Sequence, residues 1–269
     1  MIKIDKDFDD IPASLVVRSS GDTQTNRTRK KMMTDKKYGK YAENCYRAGD
    51  VKKKLENIYH HKCAYCEQRV EQYHVEHYRP KNECKKNGAQ QHDGYYWISL
   101  SWDNLLLACP RCNEYKGSQF DIEGSRQKLG DKELDVNINK WSLEYDNNEL
   151  PLLINPERDK RDEYFIYDDE GHIKHREGDK RAEYTIETCK LDRKCLCDCR
   201  RKIIEKFERD INAELNGNAD MSDRKNAVKT IYRKFIRDSK DKDNEFLEFR
   251  RYAIKNILPN ILRSFNNQP

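Results

Sequence analysis

A chain of 269 residues with 36% hydrophobic and 38% charged side chains and a mean hydropathy of −1.14 can bury a real core in one large or two small domains, yet is strongly polar. No apolar run approaches the roughly 18 residues of a membrane span, and the opening MIKIDKDFDDIPASL has no apolar stretch of the secretory kind. The expectation is a cytoplasmic protein with no membrane partner. Its ten cysteines are then metal ligands or reduced core residues rather than disulfides.

Residues 1–58 read as a polar, helical N-terminal region whose last helical pattern runs through Val51, Leu55 and Ile58. The net charge is only +5, but thirteen Lys and Arg face five Asp and Glu between Arg18 and Lys62. Such an excess suits a phosphate backbone or simply a solvated lysine-rich face.

Residues 59–125 are rich in Cys, His, Trp and Tyr. Two C-x-x-C pairs, Cys63/Cys66 and Cys109/Cys112, supply the four thiolates of one tetrahedral zinc. Forty-two residues separate the pairs, so the zinc staples the ends of an inserted element. Four thiolates leave no open position for water, which makes that zinc structural and puts the chemistry elsewhere.

The insertion carries HVEHYRP (His74–Pro80), with Glu76 and His77 on a short strand. Side chains alternate along a strand, so neighbours cannot both face one metal unless the strand end bends. A bent end sets Glu76 on a metal and leaves His77 free to take a proton from water. Asn113, directly after the last cysteine, offers an amide oxygen suited to Mg²⁺ or Mn²⁺. Arg79 and Lys81 flank this strand as phosphate contacts or surface residues. His74 reads as a surface or packing residue, and Tyr96, Trp97 and Trp102 as packing aromatics.

Residues 126–269 begin with a stretch of few signals and continue with YFIYDDEGHIKH (Tyr164–His175), a hairpin turning on Asp168–Gly171. Helices follow, patterned on Leu196, Cys199, Ile203, Phe207, Ile211 and Leu215, then Val228, Ile231 and Phe235, then Leu247, Ile254, Ile257, Ile261 and Phe265. Asn216-Gly217-Asn218 separates the first two, and Pro259 kinks the last. Cys189, Cys195, Cys197 and Cys199 read as packed or exposed thiols rather than a second metal site. The expected fold is α+β, a small zinc-stapled centre held between helical regions.

Glu76-His77, Asn104 and Asn113 inside a four-cysteine frame resemble the HNH (ββα-metal) endonucleases. That resemblance makes His77 the general base and puts the catalytic metal on Glu76 and Asn113. It also gives Asn104 the task of orienting the histidine and bracing the loop, and Lys116 a phosphate contact. The family more often carries Asp or His where Glu76 stands. KCAYCEQ, VEHYRPK, YYWISLSWDNLLLACPRCNEYKGSQF, LLINPERD and YTIETCKLDRK, with the opening segment and the hairpin, are similar to the PtuB-type HNH nucleases of Septu anti-phage systems. The resemblance implies a nucleic-acid substrate and a separate ABC-type ATPase (PtuA-like) as partner. In some such pairs it also implies a retron reverse transcriptase with its RNA/DNA. An RNA-cleaving nuclease (on tRNA, for example) and a non-catalytic zinc-stabilised nucleic-acid-binding module are the alternatives.

Overall fold

The computed structural model describes residues 1, 3–18, 23–86, 89–159, 164–216 and 220–266. Two compact units emerge, one of residues 3–65 and 69–160, the other of residues 1–2, 66–68 and 161–269. The secondary structure is mixed helix and strand, the expected α+β class.

In the first unit, α1 (Gln24–Asp35), α2 (Glu43–Tyr46) and α3 (Gly49–Tyr59) precede the first strand. Helix α3 buries Val51, Leu55 and Tyr59, one residue per turn on a single face. Strand β1 (His74–His77) pairs antiparallel with the later strand β4 (Leu105–Ala108), with Glu76 opposite Leu106 and His77 opposite Leu105. All four residues of β4 (LLLA) are buried, so this strand anchors the pair in the core. A separate hairpin of β2 (Cys84–Lys86) and β3 (Ala89–His92) lies between them in sequence. Helix α4 (Pro110–Lys116) follows β4 at once and completes a β-β-α unit. It starts there because Pro110 presets the first turn and the Cys109 sulfur accepts the Cys112 N–H at 3.3 Å. Short helices α5 (Trp141–Glu144) and α6 (Asp146–Glu149) close the unit.

This core is built on buried cations that a hydropathy pattern does not show. Lys6 donates to the carbonyls of Trp102 (2.8 Å) and Leu105 (2.7 Å), pairs with Glu157 at 3.2 Å and covers the Trp102 ring. Arg29 donates to Leu15 O, Leu100 O and Asn139 Oδ1. Arg29 and Lys62 are buried, so part of the basic stretch between Arg18 and Lys62 is core rather than a phosphate-facing surface.

In the second unit, β5 (Phe165–Tyr167) and β6 (Ile173–His175) form the expected hairpin. Its turn needs Gly171, at φ +82°, because a side chain there would collide with the carbonyl of Cys197. Helix α7 (Lys180–Cys189), capped by Asp179, leads to α8 (Lys194–Leu215) and α9 (Met221–Asp238), which pack through Phe207 and Phe235 at 5.5 Å between ring centres. The chain then forms α10 (Leu247–Asn256) and α11 (Leu258–Asn266), and Pro259 stands in the first turn of the second, where a missing N–H costs nothing. Of the expected separator, Asn216 ends α8, and Gly217 and Asn218 lie outside the described residues. Among the described residues no helix is long and apolar enough to cross a membrane.

Candidate active site

Four buried sulfurs, from Cys63, Cys66, Cys109 and Cys112, lie within 4.8 Å of one another. Tetrahedral zinc with Zn–S bonds of about 2.3 Å needs sulfurs about 3.8 Å apart, so this donor set fits the ion. The first pair is tied to the sheet where Ala64 N–H donates to Leu107 O at 2.7 Å. The second pair starts α4. Asn113 N–H donates to Cys109 O at 3.0 Å, so the frame also fixes where Asn113 stands.

Beside it opens a cleft of about 250 Å³, lined by His74, Glu76, His77 and Asn113 with Arg47, Lys52 and Lys81. His77 is only 4% exposed. Its Nε2 lies 2.8 Å from Ser99 O, and a carbonyl can only accept, so Nε2 carries the proton of the neutral ring. The lone pair is therefore on Nδ1, 3.5 Å from Lys81 Nζ. Tyr46 packs edge-on against the ring, with 4.7 Å between centres. Burial first, and then the Lys81 ammonium, hold the His77 pKa well below 6.5. The ring is held neutral and aimed.

Glu76 is 5% exposed, and its Oε1 is 2.7 Å from Lys116 Nζ without the geometry of a hydrogen bond. A divalent cation at this oxygen would have to compete with the Lys116 ammonium. Opposite Glu76, Asn113 Nδ2 donates to His74 Nδ1 at 2.7 Å. The amide can present its oxygen by turning over. A carboxylate, an amide oxygen and an imidazole nitrogen fit a divalent ion such as Mg²⁺ or Mn²⁺. His74, which sequence reasoning assigned to surface or packing, is exposed, with its ring against Asn113 and two residues from Glu76 along the strand.

Asn104 is fully buried and clamps the loop after β1. Its Oδ1 accepts from Arg79 N at 2.8 Å, and its Nδ2 donates to Arg79 O at 3.1 Å. It braces the loop as expected of that position, while the bond that orients the His77 ring comes from Ser99.

Two expected phosphate contacts are corrected. Arg79 has no exposed surface; it donates to Glu149 Oε2 (2.7 Å), Asp146 Oδ1 (2.8 Å) and Ser142 O (2.7 Å). Lys116 is buried as well, its ammonium held by Glu76 and by His77 O at 2.8 Å. Both are cations of the core, because each meets carboxylates supplied by distant parts of the chain or by the strand beneath. Lys81 remains on the cleft wall, 3.2 Å from Tyr46 OH. The aromatics Tyr96, Trp97 and Trp102 are buried packing groups.

A β-β-α unit with His77 on its first strand and Asn113 on its helix, closed by four cysteines, defines the HNH class, and residues 63–119 match the family model described as HNH endonuclease. The chain is 34% identical over 186 residues to Septu protein PtuB of Bacillus mycoides (strain KBAB4), a match that covers 66% of this chain and 59% of the relative. It is thus similar to a PtuB protein, and its residues 63–119 carry an HNH endonuclease domain. It is also 28% identical over 161 residues to Septu protein PtuA of the same organism, covering 58% of this chain and 21% of that protein. Each match spans less than two thirds of the relative's length.

Proposed function

We propose that this chain is a metal-dependent endonuclease that hydrolyses phosphodiester bonds of nucleic acid, as the effector of an anti-phage defence complex with an ABC-type ATPase. The single observation that carries the reading is His77: a buried, neutral imidazole whose proton is committed to Ser99 O, leaving Nδ1 as the base on the cleft wall beside Glu76 and Asn113.

His77 Nδ1 takes a proton from a water as that water's oxygen attacks phosphorus. The bond to the 3′ oxygen breaks, and that oxygen leaves with a proton from solvent. Glu76 and Asn113, with His74, would hold a Mg²⁺ or Mn²⁺ ion, and such an ion would supply Lewis-acid stabilisation of negative charge at the phosphate. Arg47, Lys52 and Lys81 draw the backbone phosphates into the cleft. Asn104 keeps the loop after His77 in place, and a zinc held by Cys63, Cys66, Cys109 and Cys112 would keep Asn113 in place. General-base catalysis contributes about 10²–10⁴-fold, so positioning and charge stabilisation supply most of the rate.

The division of labour follows the sequence: residues 59–125 carry the chemistry, with 1–58 and 126–269 flanking it. Similarity to two Septu proteins supports the defence role and the ATPase partner. The retron form adds a reverse transcriptase with its RNA/DNA. Such an enzyme works in the cytoplasm, where its substrate is. The cations Arg47, Lys52 and Lys81 suit backbone phosphates, which DNA and RNA share, so duplex DNA and RNA such as tRNA are both chemically suitable.

The test is to copurify the chain with a co-expressed PtuA-type ATPase and incubate the complex with labelled DNA and RNA in Mg²⁺ or Mn²⁺. Metal-dependent cleavage lost in His77→Ala supports the reading. Tight nucleic-acid binding without cleavage, equal in wild type and His77→Ala, would leave the binding module instead.

A further inference from the structure

The sequence run Cys189, Cys195, Cys197, Cys199 does not gather into a cluster of its own: Cys195 is exposed, and Cys197 is buried against residues from two other places in the chain. His172 stands at the end of the β5–β6 turn, Asp192 in the turn between α7 and α8, and Cys197 in the first turn of α8. Their donor atoms converge. No rule of ligand spacing along the sequence finds such a set, because the three residues come from separate turns.

The separations are informative. Each carboxylate oxygen of Asp192 is 3.2 Å from His172 Nδ1, and the Cys197 sulfur is 3.6 Å from His172 Nδ1 and 3.4 Å from Asp192 Oδ1. A tetrahedral zinc with bonds of about 2.0 Å to nitrogen and oxygen and about 2.3 Å to sulfur requires about 3.3 Å between N and O. It requires about 3.5 Å between S and either of them. The three donors therefore already stand close to three corners of that tetrahedron.

The surroundings help to hold them there. Buried Arg200 donates to Gly171 O at 2.7 Å and to Leu191 O at 2.8 Å, locking the residue before His172 and the residue before Asp192 onto α8. Gly171, lacking a Cβ, lets the turn close on the carbonyl of Cys197. Ile173 N–H fixes Asp192 Oδ1 at 2.9 Å. The imidazole and carboxylate are half exposed, so the fourth corner faces water, whereas Cys197 is 4% exposed.

We propose that His172, Asp192 and Cys197 form a second zinc site, with water as fourth ligand, that ties the β5–β6 hairpin to the start of α8. An imidazole, a carboxylate and a thiolate suit this borderline-soft ion, and the two anionic donors neutralise its charge. The inference is independent of the nuclease reading.

The test is the metal content of the full-length chain loaded with Zn²⁺ and desalted. Two zinc ions per chain are expected in wild type and one in Cys197→Ser and in Asp192→Asn, each checked for native circular dichroism. In Cys63→Ser, by contrast, the zinc of the other frame is lost. A single zinc in wild type, or two in both folded variants, overturns the site and leaves a thiol–carboxylate–imidazole hydrogen-bond network. Should both variants fail to fold, Co²⁺ added to wild type carrying one zinc decides. A thiolate-to-cobalt charge-transfer band growing with one equivalent supports the site, and its absence overturns it.

Discussion

The Ser99 carbonyl accepts a 2.8 Å hydrogen bond from His77 Nε2, and this one contact decides which nitrogen of the proposed base faces the cleft. Backbone sets it, so the tautomer does not depend on a titrating partner. Removing the ring should leave the scaffold intact. For His77→Ala, cleavage should fall about 10²-fold or more while zinc content and circular dichroism stay those of wild type. Near-normal turnover by that variant would take His77 out of the mechanism.

Burial and Lys81 keep the His77 pKa well below 6.5, and the neutral form is the base. The acid limb of the rate profile should therefore lie well below pH 6.5. The same group acts on stability. The unfolded ring protonates near 6.5 and the folded one does not, so its contribution is complete above that pH and is lost as pH falls toward the folded value. Denaturant midpoints at about pH 7.5 and about pH 5 should differ less in His77→Gln than in wild type. An equal or larger drop in the variant would contradict the depressed value.

The catalytic ion and the four-cysteine zinc should come apart experimentally. Mild EDTA is expected to abolish cleavage that Mg²⁺ or Mn²⁺ then restores, with the four-cysteine zinc retained. Asn113→Ala and His74→Ala should each raise the Mg²⁺ or Mn²⁺ concentration needed for half-maximal rate. Cys63→Ser, in contrast, should lose zinc together with folded protein. Unchanged metal dependence in Asn113→Ala would remove that residue from the ion's shell.

Lys116 holds Glu76 at 2.7 Å and so competes with a divalent ion for the same oxygen. In Lys116→Met the carboxylate is left buried without its counter-charge, a loss of about 3–5 kcal/mol when no metal is present. Mn²⁺ should then raise the melting temperature of Lys116→Met more than that of wild type. Equal shifts in the two proteins would show that the ion does not use Glu76.

Arg79 offers a contrast between a surface cation and a core one. Arg79→Ala leaves Glu149 facing no guanidinium and Asp146 with only that of Arg158, and should cost about 3–5 kcal/mol in chemical denaturation. Arg79→Lys should recover only part, since an ammonium cannot reproduce three directed contacts. A variant of normal stability with weakened DNA binding would restore Arg79 to the substrate surface.

The sequence by itself determined the parts whose chemistry is local. Spacing within Cys63/Cys66 and Cys109/Cys112, the strand at Glu76-His77, the hairpin turning at Gly171, and the break at Pro259 all follow from neighbours a few residues apart. Periodicity likewise found α8 and α9. Tertiary structure alone decided which charged side chains go inside. Lys6, Arg29, Arg79 and Lys116 look like surface residues in any window of sequence, yet each is buried because carbonyls or carboxylates from elsewhere replace its water. His74 gains its place only when α4 brings Asn113 to it, and Cys197 only when two distant turns bring His172 and Asp192. Local spacing encodes what a single segment can do; pairing between segments is fixed by packing, and packing is where the charges of this site were sorted into core and cleft.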